Sequence, residues 1–332
     1  MRVHANMLAT YFPERNGSPD DFYRQIFDQV QLAEELGLYA FWFTEHHFIQ
    51  YGGSVPNPAT MIAAAATRSS RIRLGSCISI LPLHHPLQVA EDYAMADLIS
   101  GGRLEFGMGL GNTQKDYDVL QLDRSESRAR YQEAAEVIVK AWSQDRFSHE
   151  GQFWQMRDVQ LHPRPLQSAS GGPPIWVAGT SEASLHWAGL HGYDVMTVAH
   201  PHPPEKQRAG VAAWKRGLAE GGHDRGQRHC QLHIRMFVDE NRERARETAK
   251  AAILRYDTAS AERGPRLPGA PSEVRACRAR PSWPSIPSTT GRPWRPPAAT
   301  STARRTTASK ASAAPGSITT STNSAPPLTL AV

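Results

Sequence analysis

The residues best suited to acid–base chemistry lie in the segment F-W-F-T-E-H-H-F at residues 41–48. An apolar run ends there abruptly in Glu45, His46 and His47. Histidine titrates near neutral pH and can accept or donate a proton, which makes the segment a candidate for acid–base catalysis. Because consecutive residues of an extended segment point to opposite sides, we expect that His46 and His47 do not share one metal ion or substrate atom. A pair of structural histidines, one hydrogen-bonded to Glu45, is the competing interpretation.

Two further segments could let a flat ligand approach the backbone. The apolar run over residues 72–80 contains the small residues Ser76, Cys77 and Ser79 near its end. The run G-x-G-x-G at residues 107–111 follows another apolar run and could pass a ligand without side-chain clashes. Its spacing differs from that of the dinucleotide-binding fingerprint. Tight strand packing in the first segment and a tight turn in the second are the structural alternatives.

The segment W-V-A-G-T-S-E at residues 176–182 is a candidate anion site. A strand is predicted to end just before Gly179, Thr180 and Ser181, and a helix follows this turn. The free backbone N–H groups at the start of a helix, together with two hydroxyl groups, can bind a phosphate. Capping of the helix by Thr180 or Ser181 is the alternative, and the two roles are compatible.

Short apolar runs alternate with amphipathic helical patterns along most of the chain. In the early part, strand starts recur roughly every 30–35 residues, the size of one βαβ unit. This alternation predicts a parallel sheet covered by helices, with active-site groups at the C-terminal ends of the strands. The predicted strands cover residues 3–8, 40–44, 72–80, 104–108, 174–178, 193–198 and 230–238.

The pattern yields seven β/α units, whereas a closed barrel of this kind has eight. The sequence after residue 275 is rich in Pro, Ser, Thr, Ala and Arg and has no helical or strand period. We therefore expect a barrel domain over residues 1–275, with a small inserted hairpin at 147–161, and a low-complexity tail over 276–332. The edges of the first and seventh strands would then lack partners.

The tail is either natural and disordered or a frame-shifted reading of a GC-rich gene, and we favour the frameshift. If the frameshift is real, another frame of the coding DNA encodes an apolar strand followed by an amphipathic helix. If no frame encodes them, the frameshift hypothesis is wrong.

Composition narrows the possible function classes. The formal net charge of +5 comes from the tail, where residues 265–332 hold nine basic residues against Glu273 alone, so we expect no nucleic-acid partner. The three cysteines are far apart and form no C-x-x-C pair, which argues against disulfide bonds and thiolate metal sites. No apolar run is long enough to cross a bilayer and no secretory leader is evident, so we expect a cytoplasmic protein without membrane contacts.

Taken in order, these segments resemble the luciferase-like flavin monooxygenase superfamily over roughly residues 1–274. The resemblance implies a TIM-type (β/α)8 barrel that uses reduced FMN and O2 to oxidise a small, apolar organic substrate. It also implies a separate flavin reductase and a homodimer formed through the early helices. The motifs that carry the resemblance are E-H-H-F at 45–48, N-P at 57–58, L-P-x-x-H-P at 81–86, A-E-D at 90–92, S-x-G-R-L at 100–104 and V-A-G-T-S at 177–181.

The resemblance further implies roles for individual residues. His46 corresponds to the histidine that assists chemistry at the flavin in the luciferase α subunit, and Glu45 stands beside it. Gly109 and Leu110 occupy the positions of a Cys-Arg pair whose arginine lies near the flavin phosphate, so neither that contact nor luciferase activity is expected. We predict no metal ligands. The predicted cofactor-binding residues are Cys77, Ile78, Ser79, Asn112, Tyr117, Ala178, Gly179, Thr180 and Ser181.

Three alternatives remain open at this point. The first is a reductase or dehydrogenase of the same fold that uses a deazaflavin and no oxygen. The second is a metal-dependent barrel hydrolase, for which His46, His200 and His202 are candidate ligands. The third is a non-catalytic flavin-binding protein or a defective gene product.

Overall fold

The computed structural model describes residues 2–199, 202–261 and 329–331 of the 332-residue chain. These residues belong to the first of two units of the chain, which comprises residues 1–271 and 326–332. The strands are β1 (His4–Met7), β2 (Ala40–Phe43), β3 (Arg73–Ser76), β4 (Ser79–Ile80), β5 (Leu104–Gly109), β6 (Phe147–Glu150), β7 (Gln155–Val159), β8 (Ile175–Ala178), β9 (Asp194–Val198), β10 (Cys230–His233) and β11 (Thr329–Ala331). The helices are α1 (Pro13–Asn16), α2 (Pro19–Glu35), α3 (Pro58–Ala66), α4 (Pro86–Ser100), α5 (Gln114–Val119), α6 (Ser127–Ser143), α7 (Glu182–Leu190), α8 (Pro204–Glu220) and α9 (Arg242–Ala261).

The helix α2 shows how local sequence determines the outer layer. The hydroxyl of Ser18 accepts a hydrogen bond from the backbone N–H of Asp21, whose side chain accepts one from the backbone of Ser18. Pro19 occupies the first turn, where its missing N–H costs nothing. The apolar face of the helix is buried against the sheet; its residues are Phe22, Ile26, Val30 and Ala33. Within the described residues, none of the helices is long and apolar enough to span a bilayer.

Seven parallel strands among the described residues form most of a closed barrel, and the short strand β4 adds a parallel pairing at the edge of β5. The order around the barrel is β3, β2, β1, β11, β10, β9, β8 and β5, and β5 pairs again with β3. Trp42 illustrates the register, because it pairs with Asn6 on one side and Gly75 on the other. The C-terminal ends of parallel strands meet at one rim of such a barrel. The predicted (β/α) barrel is confirmed.

The eighth place in the barrel lies between β1 and β10 and is taken by the three residues of β11. This strand runs antiparallel to both neighbours, with Ala5 opposite Leu330 and His233 opposite Ala331. The expectation that the first and seventh strands have unpaired edges is therefore wrong, because β11 supplies partners for their backbone groups. An eighth parallel β/α unit is absent from the described residues. Of the tail predicted over residues 276–332, residues 276–328 and 332 lie outside them, whereas residues 329–331 form β11 rather than a disordered segment.

Two strand predictions were too long. The predicted strand over residues 72–80 is interrupted after Ser76, where the chain leaves β3 and resumes as the short β4. The peptide bond between Cys77 and Ile78, in this interruption, is cis. The strand predicted over residues 230–238 ends at His233. The helices α1 and α5 were not predicted, since each spans fewer than two turns and offers little periodicity.

The inserted hairpin is confirmed as the strands β6 and β7. It is anchored by Glu133 of α6, whose carboxylate accepts hydrogen bonds from the backbone N–H groups of Gln152, Phe153 and Trp154. The hairpin is therefore fixed to the helical layer on the outside of the barrel.

Tryptophan side chains fill part of the barrel interior. The rings of Trp42 and Trp176 meet edge to face with centroids 5.5 Å apart. The indole N–H of Trp42 donates to His4 Nδ1 at 3.0 Å, and that of Trp176 donates to Glu105 Oε2 at 2.6 Å. Burial raises the pKa of Glu105 even though Arg73 is paired with it. This layer closes the barrel below the rim at which the strands end.

Candidate functional site

The predicted site residues follow the C-terminal ends of four parallel strands. Glu45, His46 and His47 come after β2, and the segment 77–79 comes after β3. Asn112 follows β5, while Gly179, Thr180 and Ser181 follow β8. Because these strands end at the same rim, the topology brings the four segments to one end of the barrel.

The carboxylate of Glu45 is the centre of a buried hydrogen-bonded group. Its Oε1 atom lies 2.8 Å from Nε2 of His47 and 2.7 Å from Nε2 of His84. Its Oε2 atom accepts a hydrogen bond from the backbone N–H of Ile80 at 3.2 Å. The side chain of Glu45 is only 1% exposed, whereas those of His47 and His84 are 12% and 33% exposed. We call Glu45, His47 and His84 the carboxylate–histidine cluster.

The cluster shifts the protonation of its own members. Burial alone would raise the pKa of Glu45, but the hydrogen bonds from His47 and His84 lower it below its ordinary value. Burial works in the opposite direction at His84, yet the hydrogen bond to Glu45 and the charge of its carboxylate raise the pKa of this imidazole. Glu45 is therefore an ionised carboxylate at neutral pH, in contact with two imidazole rings.

The structure gives the histidines of this region contacts that differ from those expected from the sequence. The structural alternative, in which one histidine of the pair is bonded to Glu45, holds for His47. None of the hydrogen bonds that join the carboxylate–histidine cluster involves His46. His84 was not predicted as a site residue, whereas its neighbour His85 caps α4 by accepting a hydrogen bond from the N–H of Leu87. No sequence motif indicated the contact of His84 with Glu45, which spans 39 residues.

The glycine run 107–111 packs against the segment that follows β3. A side chain at Gly107 would collide with the backbone oxygen of Ser76, and one at Gly109 would collide with the end of the Ile78 side chain. Gly111 has a φ of +70° and faces the side chain of Ile80. The close approach predicted for this run is thus made by the neighbouring chain segment. The glycines set the position of residues 77–79, the predicted flavin-ring segment.

Polar side chains from two strands, β1 and β10, meet beside Cys77. The Nδ2 atom of Asn6 lies 3.2 Å from Nδ1 of His233, and the Cys77 thiol lies 3.7 Å from Nε2 of the same ring. Burial raises the pKa of the Cys77 thiol to about 12 and lowers the pKa of His233 to about 4. The pair is consequently a neutral thiol and a neutral imidazole at pH 7. Asn6 and His233 were not identified from the sequence, since no motif marks either residue.

The N-terminus of α7 combines several features of an anion site. Ser181 caps this helix by accepting a hydrogen bond from the N–H of Ser184, and its hydroxyl donates to Ser184 Oγ at 2.9 Å. The guanidinium of Arg128, an exposed residue of α6, donates to the same hydroxyl at 3.3 Å. A cation therefore lies beside the first N–H groups of the helix, and both favour an anion at this position. Sequence reasoning missed Arg128, because 56 residues separate it from Ser184.

The two predicted residues after β5 lie in different environments. Tyr117 is buried, and its hydroxyl donates to the backbone oxygen of Leu110 at 2.7 Å. Burial raises the pKa of Tyr117 to about 12. Asn112 is exposed, and its backbone oxygen accepts a hydrogen bond from Arg124. Tyr117 therefore holds the loop after β5 in place, while the side chain of Asn112 is accessible at the rim.

Two cavities among the described residues lie away from these segments. One of about 630 Å³ is bounded by α6, the hairpin and the side chains of Trp187 and Tyr193. Another of about 430 Å³ lies at the opposite end of the barrel, where Arg2, His4 and Arg228 line it. Of the metal ligands considered above, His200 lies outside the described residues. Within the part of the chain that the structure describes, the group with convergent metal-ligating atoms is the carboxylate–histidine cluster.

Comparison with known sequences gives consistent matches. A family model described as luciferase-like monooxygenase matches residues 1–314. The oxygenase component of flavin-dependent trigonelline monooxygenase from Acinetobacter baylyi is 34% identical over 181 residues, which cover 53% of this chain and 49% of that protein. Limonene 1,2-monooxygenase from Rhodococcus erythropolis is 30% identical over 235 residues, covering 69% of this chain and 59% of that protein. The chain spans about half the length of several curated relatives that it matches.

Solved structures show the same fold. Monooxygenase RslO1 from Streptomyces bottropensis superposes with a TM-score of 0.75 at 29% identity, covering 79% of each chain. The oxygenating constituent of 3,6-diketocamphane monooxygenase from Pseudomonas putida, solved with FMN, gives a TM-score of 0.66 at 20% identity over 77% of this chain and 74% of that one. A secondary alcohol dehydrogenase dependent on F420 gives 0.61 at 20% identity over 76% of both chains. At 20% identity the last two similarities establish the barrel fold alone.

Proposed function

Because the chain belongs to the luciferase-like monooxygenase family, we propose that it is the oxygenase component of a flavin-dependent monooxygenase. It binds reduced FMN at the C-terminal rim of the barrel and oxidises a small, apolar organic substrate with O2. The observation that carries the proposal is the convergence at this rim of an anion-binding helix start, the ring segment 77–79 and an ionised carboxylate paired with histidines.

The start of α7 fits the phosphate of FMN. Thr180 and Ser181 supply hydroxyl groups, and the first N–H groups of the helix point away from its body. Arg128 supplies the positive charge that the sequence comparison with the luciferase α subunit found missing at Leu110. We therefore assign the phosphate to Gly179, Thr180, Ser181 and Arg128.

The segment of Cys77, Ile78 and Ser79 fits the flat ring. Its backbone is held from one side by Glu45, which binds the N–H of Ile80, and from the other by the glycines of β5. A ring that rests on such a segment is oriented by a rigid backbone rather than by mobile side chains. Asn112 is exposed at the same rim and is accessible to the ring edge.

Bound FMN, in its reduced form, supplies the electrons that activate O2. The protein supplies acid–base groups beside it. With Nε2 of His47 bonded to Glu45, Nδ1 is the nitrogen of this ring left to exchange a proton with a ligand. His46, at the same strand end, stays our predicted catalytic histidine, and Glu45 acts on the chemistry by orienting His47.

The source of reduced flavin and the state of assembly are part of the same proposal. We expect a separate flavin reductase, because one relative is named as the oxygenase component of its system. We also expect a homodimer formed through α4, which exposes three apolar side chains on one face. Their exposed fractions are 50% for Met95, 42% for Leu98 and 47% for Ile99.

A titration of the purified full chain with oxidised and reduced FMN tests the proposal. Saturable binding, with quenching of flavin fluorescence and a rise in melting temperature, is the expected result. A deazaflavin titrated in parallel should bind more weakly. Binding of the deazaflavin alone would assign the chain to oxygen-independent redox chemistry, and binding of neither compound would contradict the proposal.

If FMN binds, the histidine roles are separated by variants assayed with a supplied reductase and a panel of apolar substrates. His46→Ala should reduce turnover while leaving FMN affinity nearly unchanged. Unaltered turnover in this variant, combined with a loss in His47→Ala, would transfer the catalytic role to His47.

A further inference from the structure

Three metal-ligating atoms meet in the carboxylate–histidine cluster. The Nε2 atoms of His47 and His84 lie 2.8 and 2.7 Å from the same carboxylate oxygen of Glu45, and the three atoms all lie within 4.8 Å of one another. The two imidazole nitrogens thus already converge on one point beside Oε1. This arrangement was not expected from the sequence, because His84 is 39 residues from Glu45.

We propose that Glu45, His47 and His84 form a binding site for a divalent transition metal ion such as Zn²⁺. The ion would take the place of the two N–H protons that now lie between the imidazole rings and the carboxylate. Two imidazole nitrogens and one carboxylate oxygen are a ligand set typical of Zn²⁺ and of other first-row ions that prefer nitrogen. Three protein ligands leave at least one coordination position for water.

The surroundings favour a cation at this point. Glu45 is an almost fully buried carboxylate, and among the described residues no lysine or arginine forms an ion pair with it. The other nearby charged side chain, Asp92 of α4, is also an acid and lies close enough to act on His84. A dication would therefore compensate negative charge that hydrogen bonds from two imidazole rings and the N–H of Ile80 now stabilise.

The ligands are already oriented, which limits the reorganisation needed for binding. The second oxygen of Glu45 is fixed by the N–H of Ile80, so the first oxygen is directed at the two rings. The ligands come from two separate segments, the loop after β2 and the turn before α4. An ion can reach the cluster from the side of His84, whose side chain is 33% exposed.

Metal binding would change the hydrogen bonding at this rim, because an ion on Nε2 of His47 replaces the proton through which Glu45 orients that ring in the proposed function. The site itself needs no flavin. The inference therefore goes beyond the proposed function, and failure of one leaves the other standing.

The test uses the full chain, free of flavin and treated with a chelator. Zn²⁺ is titrated by calorimetry, and Co²⁺ is titrated while its visible absorption is followed. We expect one ion per chain, with Co²⁺ bands of low-symmetry nitrogen and oxygen coordination. His84→Ala should weaken binding by more than about 100-fold, beyond the loss typical for residues that only orient a ligand. His84→Asn keeps an N–H donor for Glu45 and therefore controls for misfolding of the alanine variant. It should also abolish tight Zn²⁺ binding.

His85→Ala is the matched control, since His85 is the adjacent histidine and caps α4 without touching Glu45. It should bind Zn²⁺ like the unaltered chain. The proposal is overturned if the unaltered chain shows no saturable binding. It is equally overturned if the folded His84→Ala and His84→Asn variants bind as tightly as the His85→Ala control, because the ion would then occupy another site.

Discussion

Arg128 offers a residue-level test of the phosphate assignment, because its guanidinium reaches the start of α7 from a different helix. In Arg128→Ala, we expect FMN to bind about tenfold more weakly, the loss of roughly one charge-assisted hydrogen bond at a partly solvated site. Riboflavin, which lacks the phosphate, should bind the variant and the unaltered chain equally. Fluorescence titration with both compounds measures the two affinities. An equal loss for riboflavin would show that Arg128 acts on the ring or on the fold.

The thiol of Cys77 should be unreactive although Cys77 belongs to the proposed ring segment 77–79. Burial raises its pKa to about 12, so thiolate, the reactive form, is scarce at pH 8. Cys230 is exposed and serves as the internal control. With iodoacetamide at pH 8, peptide mass spectrometry should show Cys230 alkylated at least about tenfold faster. Faster labelling of Cys77 would mean that the interior behind it is open to solvent.

A side chain added at Gly107 of β5 would meet different atoms from one added at Gly109, so alanine substitutions at the two positions should have different effects. A methyl group at Gly107 meets the backbone oxygen of Ser76, which cannot move away easily. A methyl group at Gly109 meets only the end of the Ile78 side chain. We expect Gly107→Ala to lower the free energy of unfolding by about 2–3 kcal/mol, as overpacking does. Gly109→Ala should cost less than about 1 kcal/mol, yet weaken FMN binding by displacing Ile78.

Denaturant unfolding and FMN titration of both variants measure these two quantities. Equal stability of the two variants would contradict the packing argument. Normal FMN affinity in Gly109→Ala would remove Ile78 from the ring site.

Hydrogen bonds to the Glu34 side chain connect the C-terminal end of α2 to the segment just before β3. The backbone N–H groups of Ser70, Arg71 and Ile72 donate to its carboxylate. Although partial burial acts in the opposite direction, these hydrogen bonds lower the pKa of Glu34 to about 2. A carboxylate with a lowered folded-state pKa stabilises the fold above its unfolded pKa, and this contribution is lost as pH falls through the folded value.

Glu34→Gln should therefore lower stability by about 1 kcal/mol at pH 7. The difference from the unaltered chain should shrink between about pH 4.5 and pH 2, because the unaltered carboxyl also becomes neutral there. Chemical denaturation at several pH values measures this difference. A difference that stays constant over the range would show that charge on Glu34 does not contribute.

The elements that the sequence predicted well are those whose signals are local. The cap of α2 and the spacing of its apolar face both depend on residues within one helix. The alternation of strands and helices likewise fixed the parallel barrel. Contacts between distant segments could not be predicted from the sequence, because no local pattern indicates the hydrogen bond of His84 to Glu45 or that of Arg128 to Ser184. The break after β3 was missed because apolar residues alternate on both sides of it, with Ile72 and Leu74 before the break and Ile78 and Ile80 after it.

For the whole molecule, the exposed face of α4 predicts the state of association. Met95, Leu98 and Ile99 lie three or four residues apart and thus share one side of the helix. If this side is the dimer contact, Leu98→Glu should convert a dimer into a monomer by placing a charge in the interface. Light scattering after size-exclusion chromatography gives the mass. A monomer in the unaltered chain, or a dimer in the folded variant, would exclude this face.

The paired indole rings of Trp42 and Trp176 give the barrel an optical property of its own. They lie inside the wall of strands, below the rim that we assign to the flavin. Indole emission overlaps the absorption of oxidised flavin, so a flavin at the rim would accept excitation energy from both rings. The chain thus contains a donor within reach of its ligand, and the lifetime of its own fluorescence would report occupancy without a label or a substrate.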